Sequence, residues 1–553
     1  MGFSTAIHPS SSAGRIQTRV HDPIQIAGRE WRWLITVSIV LVLIGLVPLF
    51  LSAAAAGNGD WRFMGLAHNY RDGASYLAKM QIGVNGGWML RFLHTPDAHD
   101  GALTMVLYPA LGHLARLTGL STIVVFHLAR VVAALAMYAS LYALAASLWM
   151  SVSARRLFFI IAALGAGFGW LLAPMTGRVD FPDLTIPEIF PFASTLVNPH
   201  FPLAIACLAL LAAQFVLIIR PDEPVWSRFW WIGTALLSLG LAMLYPQGLV
   251  PFAAAVVLYL LVWRVRRGPL TRHGITYVFA LIAPSIPVAI YLGAVVRLNP
   301  AFAEWNAQNV TPAPPLWVLL AGLGFPLIIG IPAMVRAARH MDRDGDRLML
   351  FWLLAMLVFI FLPTNIQRRF SVGMMLPVAF FAVRAIRHFW IPKLGKRTSK
   401  MLGAIVLTVM TLSNLMILII PAATLAGGDS ARIGLALPAA YSEALSDLEN
   451  RATLNDVILA APDVSIWIPG ISGARVVYGH PYETLQAEAR EAAVGAWYRL
   501  PEGPDCQATL QELGVTYVLF GPLEAHLGEG ACVAGLEPVQ THGPVTVYAV
   551  PAS

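Results

Sequence analysis

Runs of apolar residues separated by short polar gaps fill the chain from residue 34 to residue 422. Eleven runs have the length or composition of a helix crossing a bilayer: 34–56, 122–149, 157–175, 200–219, 229–245, 247–264, 274–296, 315–335, 348–363, 370–389 and 401–422. The fifth, sixth and ninth are short or run closely into a neighbour. Between the first two lies a long stretch, 57–121, with a mixed pattern. "HNYRDGASYLAKMQIG" (68–83) starts polar and continues at helical spacing, and "GALTMVLYPALGHLARLTGL", with His113 and Arg116, has the period of a helix lying along a membrane surface. From about residue 425 the period shortens. "ATLNDVILAAPD", "ARVVYGH", "VTYVLFGP" and "PVTVYAV" read as strands, "YETLQAEAREAAVGAWY" as a helix, and "DCQATLQELGVTYVLFGP" as helix, glycine turn, strand. The pattern predicts an α-helical polytopic membrane protein in three parts: a polar segment 1–33, a membrane region 34–424 with the long loop 57–121, and a small α/β domain 425–553.

Composition supports the membrane reading, since 57 % of the 553 residues are hydrophobic and 12 % charged, too little polar surface for a soluble fold. A net charge of +7 fits nucleic acid only superficially, because the basic residues sit in gaps between apolar runs. With the N-terminus and its Arg15, Arg19, Arg29 and Arg32 in the cytoplasm, alternate gaps carry Arg155 and Arg156; Arg220 and Arg228; Arg264, Arg266, Arg267 and Arg272; Arg336, Arg339, Arg343 and Arg347; and Arg387, Lys393, Lys396, Arg397 and Lys400. The reverse orientation would invert all of them. The first run lacks an obvious cleavage site and reads as a retained helix. The loops 57–121, 176–199 and 297–314, the turn 365–369 and the tail then share the extracytoplasmic side. There Cys506 and Cys532 can pair, whereas Cys207 lies in an apolar run.

Polar groups that can carry chemistry collect on that outer side. Asp72 heads a helix that places Tyr76 and either Lys79 or Met80 on related faces, with His68 and Arg71 just before it; it is either a helix-terminal carboxylate or a general base. "RFLHTPDAHDG" brings His94, Asp97, His99 and Asp100 within one short loop, oxygen-rich ligands of the kind Mg²⁺ or Mn²⁺ takes, with His99 and Asp100 the candidate pair. The next outer loop holds Asp180, Asp183, Glu188 and His200, and Glu188, flanked by large apolar residues, is a candidate for a raised pKa. Arg368 and Arg369 break the charge rule, and a guanidinium pair kept outside points to a phosphate partner. Tyr245, Gln247, Glu304 and Asn306 are candidates to line the same cavity, while Trp467 and Tyr482 are sugar-stacking surfaces or core residues. Phosphate-binding loops, dinucleotide fingerprints, HExxH motifs and tandem repeats are absent from the sequence.

The order of these features resembles the C-type (GT-C) glycosyltransferases, typified by protein mannosyltransferases, oligosaccharyltransferases and aminoarabinose transferases. The resemblance is carried by the acid ahead of the "YLA" helix (Asp72, Tyr76, Leu77, Ala78), "LYPALGHLARLTGLS" (107–121), "VFHLARVVAAL" (125–135), and, as in a bacterial subgroup with a terminal α/β domain, "GHPYETLQAEA" and "LGVTYVLFGPLE". It implies inverting sugar transfer from a polyprenyl-phosphate-linked donor to a lipid, glycan or protein acceptor, outside the bacterial cytoplasmic membrane. It further implies Asp72 as general base, Asp180 or Asp183 as the second acidic position, and Arg368 or Arg369 on the lipid phosphate. Asp72 lacks the adjacent acid common in the family, being flanked by Arg71 and Gly73, so a divalent metal is not certain. A transporter, a lipid-linked glycan ligase and a non-catalytic envelope scaffold are the alternatives; the scarcity of acids inside the apolar runs argues against transport.

Overall fold

The computed structural model describes residues 26–56, 59–219, 229–340 and 344–551. Among the described residues, nine helices are long and apolar enough to cross a membrane: Gly28–Ala55 (α1), Thr122–Leu148, Val152–Thr176, His200–Ile218, Pro246–Arg266, Arg272–Leu298, Leu316–His340, Gln367–Leu394 and Arg397–Leu425. The expected count of eleven is corrected to that extent. The fifth and ninth runs fold as the helices Trp230–Leu244 and Asp344–Ile360, of 15 and 17 residues. At 1.5 Å per residue they are about 22 and 26 Å long, short of the roughly 30 Å hydrocarbon core. Tyr245 ends the first of these: it precedes Pro246 and is forced out of helical geometry, to φ −157°. Arg15, Arg19, Arg220, Arg228 and Arg343 lie outside the described residues.

Helix-to-helix packing in the membrane region relies on small side chains. Thr122–Leu148 runs against His200–Ile218, and Ala133, Ala134, Ala145, Ala204, Ala209 and Ala212 are all buried, which lets backbones approach where the lipid supplies no hydrophobic drive.

The long loop after the first span is built round the helix Tyr70–Val84 (α2), buried at every residue from Gly73 to Gly83. Leu107–Thr118 (α3) crosses it backbone to backbone. A Cβ on Gly83 would lie 2.0 Å from the Pro109 carbonyl, and one on Gly112 would lie 1.9 Å from that of Met80. On another side α2 meets Gly470 of the tail, whose Cβ position is 3.0 Å from Leu77. Loop and tail are joined again by an antiparallel strand pair, β1 (Trp61–Phe63) and β2 (Ala436–Pro438), with Trp61 opposite Pro438. A single apolar cluster runs through both, from Leu77, Met80 and Tyr108 to Ile458, Trp467 and Leu519.

The tail carries a mixed five-stranded sheet of β3 (Val457–Leu459), β4 (Arg475–Val476), β5 (Tyr517–Phe520), β6 (Glu537–His542) and β7 (Val545–Ala549), in the order β4-β3-β5-β7-β6. The first three are parallel and the rest antiparallel. Helix Pro504–Glu512 enters β5 through Gly514 at φ +63°, the predicted glycine turn. Cys506 and Cys532 form a disulfide, with Cα atoms 5.4 Å apart.

The α2/α3 crossing leaves no room for a side chain at Gly112. Gly112→Val is expected to lower stability by at least about 1–3 kcal/mol, read as a lower thermal midpoint of the protein in detergent, while Gly119→Val at the exposed end of α3, a position with φ +70°, should give a smaller, strain-only loss.

Candidate functional site

Asn69, in the left-handed conformation with φ 47°, starts α2 and donates from its Nδ2 to Asp72 Oδ2 at 2.6 Å. Asp72 therefore stands in the first helical turn, where the helix dipole favours its charge. Its other oxygen, Oδ1, lies 3.6 Å from Nε2 of His480. Burial pushes the carboxyl pKa up, but His480, Asn69 and Arg368 together outweigh burial and hold it below the ordinary aspartate value.

Two cavities meet at this carboxylate. One, of about 440 Å³, is walled by His68, Pro182, Leu196 and Ile417; the other, of about 260 Å³, by Tyr76, His200, Tyr245, Gln247, Asn306 and Arg369. Asp72, Glu188, Arg368, His480 and Tyr482 border both. Glu188, 2 % exposed, arrives on the short turn Pro187–Ile189. Its Oε1 lies 3.7 Å from Arg368 Nε, and its Oε2 has no hydrogen-bond partner. Burial raises its pKa, against the opposing pull of Arg368 and Arg369. The arginines are held by the outer loops: the Arg368 N–H donates to the Thr311 carbonyl at 3.1 Å, and Arg369 Nη2 donates to Asn309 Oδ1 at 3.1 Å.

The remaining expected contacts divide between wall and support. Tyr76 stacks on Tyr108 with centroids 4.3 Å apart, and the Tyr108 hydroxyl meets His200 Nδ1. His68 donates from Nε2 to the Ile417 carbonyl at 2.8 Å, and burial lowers its pKa to about 4, so it is neutral at pH 7. Arg71 is exposed at the rim of the larger cavity. Trp467 is core, 1 % exposed, whereas Tyr482 is 40 % exposed at the mouth. Glu304 is turned away and accepts from the Gln486 N–H.

Asp180 and Asp183, expected as the second acid, do not line either cavity. Asp180 is exposed and paired with Arg178 at 2.6 Å. Asp183, 1 % exposed, accepts through Oδ2 from the Gly167 N–H at 3.1 Å, the Gly169 N–H at 2.8 Å and the Ser413 hydroxyl at 2.6 Å. It thus satisfies the amides freed where the third span breaks between Leu164 and Gly169. The acid of this loop that does reach Asp72's cavity is Glu188. His99 and Asp100 lie at a separate cavity. His99 accepts from the Phe92 N–H and donates to the Asp97 carbonyl, each at 3.0 Å, so both ring nitrogens are engaged; Asp100 is exposed. Among the described residues, no group of three or more His, Cys, Asp or Glu side chains is placed to hold a metal.

Behind the site lies a buried ionic cluster that the sequence pattern does not reveal. Lys79, 2 % exposed, pairs with Oε1 of Glu483 from the tail and donates to Ser75 Oγ at 3.1 Å. His94 Nδ1 lies 3.6 Å from Glu483 Oε2. Burial raises the Glu483 pKa, but Lys79 and the two histidines overcome it and hold the carboxyl far below the glutamate range. The only local sign is a histidine and a glutamate inside "GHPYETLQ", where Gly479, His480 and 483–485 are buried.

No protein-family model matches the chain, and no curated protein matches it by sequence. Solved structures do. The oligosaccharyltransferase of Archaeoglobus fulgidus in its apo form is 11 % identical with a TM-score of 0.54, over 95 % of this chain and 75 % of that one. ArnT from Cupriavidus metallidurans bound to undecaprenyl phosphate is 13 % identical with a TM-score of 0.54, over 95 % of this chain and 99 % of that one. The chain accordingly shares the fold of these two structures, the fold that the sequence features lead one to expect.

Removing Lys79 alone strands a buried carboxylate. Lys79→Met is expected to destabilise the protein by about 3–5 kcal/mol, and adding Glu483→Met to recover most of it, measured by thermal unfolding in nanodiscs. Because the Glu483 pKa is depressed far below 4.5, the pair's contribution is complete above 4.5 and is lost progressively as the pH falls from there through the depressed folded value. Asp183→Ala should likewise cost about 1–3 kcal/mol per stranded amide, a stability loss rather than a selective loss of function.

Proposed function

We propose that the protein is an inverting glycosyltransferase that moves a sugar from a polyprenyl-phosphate-linked donor to a lipid, glycan or protein acceptor on the outer side of a bacterial cytoplasmic membrane. The observation that carries this reading is the convergence of an ionised carboxylate, Asp72, and an arginine pair, Arg368 and Arg369, on joined cavities in a GT-C fold. Undecaprenyl phosphate bound to ArnT, a structure of the same fold, supports the lipid-phosphate donor class.

In this reading Asp72 takes the proton of the acceptor's attacking group as that group bonds to the anomeric carbon. The bond from that carbon to the phosphate oxygen breaks, its electron pair leaves with the phosphate, and the guanidinium groups stabilise the charge that develops. A single displacement of this kind inverts the anomeric centre. A divalent cation, Mg²⁺ or Mn²⁺, would meet Glu188, whose Oε2 is buried and unpartnered, and would supply further positive charge beside the phosphate. The Cys506–Cys532 disulfide supports a tail facing an oxidising compartment, and the basic gaps support a cytoplasmic N-terminus.

The test is transfer from radiolabelled polyprenyl-phosphate sugars into native membrane extracts, by protein reconstituted in liposomes. Asp72→Asn is expected to lower transfer by at least about 100-fold, while Asp180→Asn keeps it. Full transfer by a folded Asp72→Asn protein would remove Asp72 as the base; no transfer by the wild type from a broad donor set would overturn the glycosyltransferase reading in favour of transport or scaffolding.

A further inference from the structure

His480 reaches the site from the far end of the chain. Its ring borders both cavities, its side chain is 3 % exposed, and its Nε2 faces Asp72 Oδ1 at 3.6 Å. The backbone N–H of Tyr482 donates to its Nδ1 at 3.1 Å. A backbone N–H can only donate, so Nδ1 holds a lone pair and the proton of the neutral ring resides on Nε2, pointing at the carboxylate. That Nε2 is buried and has no hydrogen-bond partner, so Asp72 Oδ1, 3.6 Å away, is the acceptor it faces.

The segment carrying the ring is fixed against the outer loop. Thr484 Oγ1 accepts from the N–H groups of Gly479 and His480 at 3.2 and 3.1 Å, and donates to the His94 carbonyl at 2.6 Å. A Cβ on Gly479 would lie 2.8 Å from the His94 ring, and Glu483 is tied to Lys79. These contacts hold the backbone that carries the ring, and the Tyr482 N–H on Nδ1 holds the ring itself.

We infer that His480 is a positioning residue for Asp72, and that the site is incomplete without the tail. Its Nε2–H is directed at Oδ1 from 3.6 Å while Asn69 Nδ2 donates to Oδ2, so the carboxylate is oriented from two sides with its remaining lone pairs free for the cavity. The inference rests on Asp72 as the proton acceptor of the proposed transfer; the orientation of the ring can be measured without it.

Full-length protein labelled with ¹⁵N-histidine in nanodiscs, with His480→Gln used to identify the signal, reports the tautomer directly. At neutral pH the expected result is a protonated Nε2 and an unprotonated Nδ1, with the Nε2 signal shifting in Asp72→Asn and unmoved in Asp180→Asn. A proton on Nδ1, or an Nε2 signal indifferent to Asp72→Asn, overturns the inference whether or not any sugar is transferred. In the transfer assay His480→Phe, which keeps a ring but loses the N–H, should lower kcat roughly 10- to 100-fold with the donor KM little changed. His480→Gln, whose amide can donate from nearly the same place, should recover most of that loss. Wild-type kcat in His480→Phe, or equal losses in the two variants, would reduce His480 to a packing residue. Should the wild type transfer nothing, the glycosyltransferase reading fails and the nitrogen signals alone decide the placement of His480.

Discussion

A lysine and a glutamate buried against each other are the constraint on which the joined loop and tail of this molecule depend. Lys79 lies on the inward face of α2 and Glu483 in the tail, and neither is more than 8 % exposed at its side chain. Isolated, each charge would lose its hydration with nothing in return; together, with Ser75 and His94 around them, they are tolerated in an otherwise apolar interface. The pair requires that loop and tail meet in one register. That register then sets the position of His480, three residues before Glu483, and of Asp72, two helical turns before Lys79.

The architecture was legible because its causes are local. Apolar runs of membrane length, arginines gathered in alternate gaps, and the change to short β-rich runs beyond residue 425 each follow from what one segment must satisfy by itself. The same locality explains the overcount of spans. A run such as 229–245 has the composition of a crossing helix, but the conformational restriction that Pro246 places on Tyr245 shortens the helix to Trp230–Leu244 and turns its end into a cavity wall. Asp72, Glu188, Arg368 and Arg369 were also visible in the sequence, since each is a charge out of keeping with its apolar or topological surroundings.

The division of labour among the acids was not legible, because it is decided by contacts from distant elements. Asp180, Asp183 and Glu188 sit within nine residues of one another and have three different fates. Asp180 meets a neighbouring arginine at the surface. Asp183 is drawn inward by amides freed where a helix breaks and by a serine from the last long span. Glu188 alone turns to the cavity, carried there by a proline-led turn. Nothing in their spacing separates these outcomes, and the same holds for His480, whose partner lies at the other end of the chain.

The site that results holds two carboxylates in opposed electrostatic settings. Hydrogen-bond donors and a cation keep Asp72 below its ordinary pKa, whereas burial dominates at Glu188 and raises it. Groups separated in this way can take different roles at one pH: Asp72 is the one held in its charged form, the form the proposed transfer requires, and Glu188 is stabilised chiefly by the arginine it faces. Arg368 borders both acids' cavities, so its charge is shared between Glu188 and whatever anion enters. An arriving phosphate would therefore compete with Glu188 for the guanidinium, and the unpartnered Oε2 shows that the carboxylate does not already saturate its own bonding capacity. Such an arrangement keeps an anion-binding group oriented before its ligand arrives, which is a condition under which a fixed charge contributes most to a developing one.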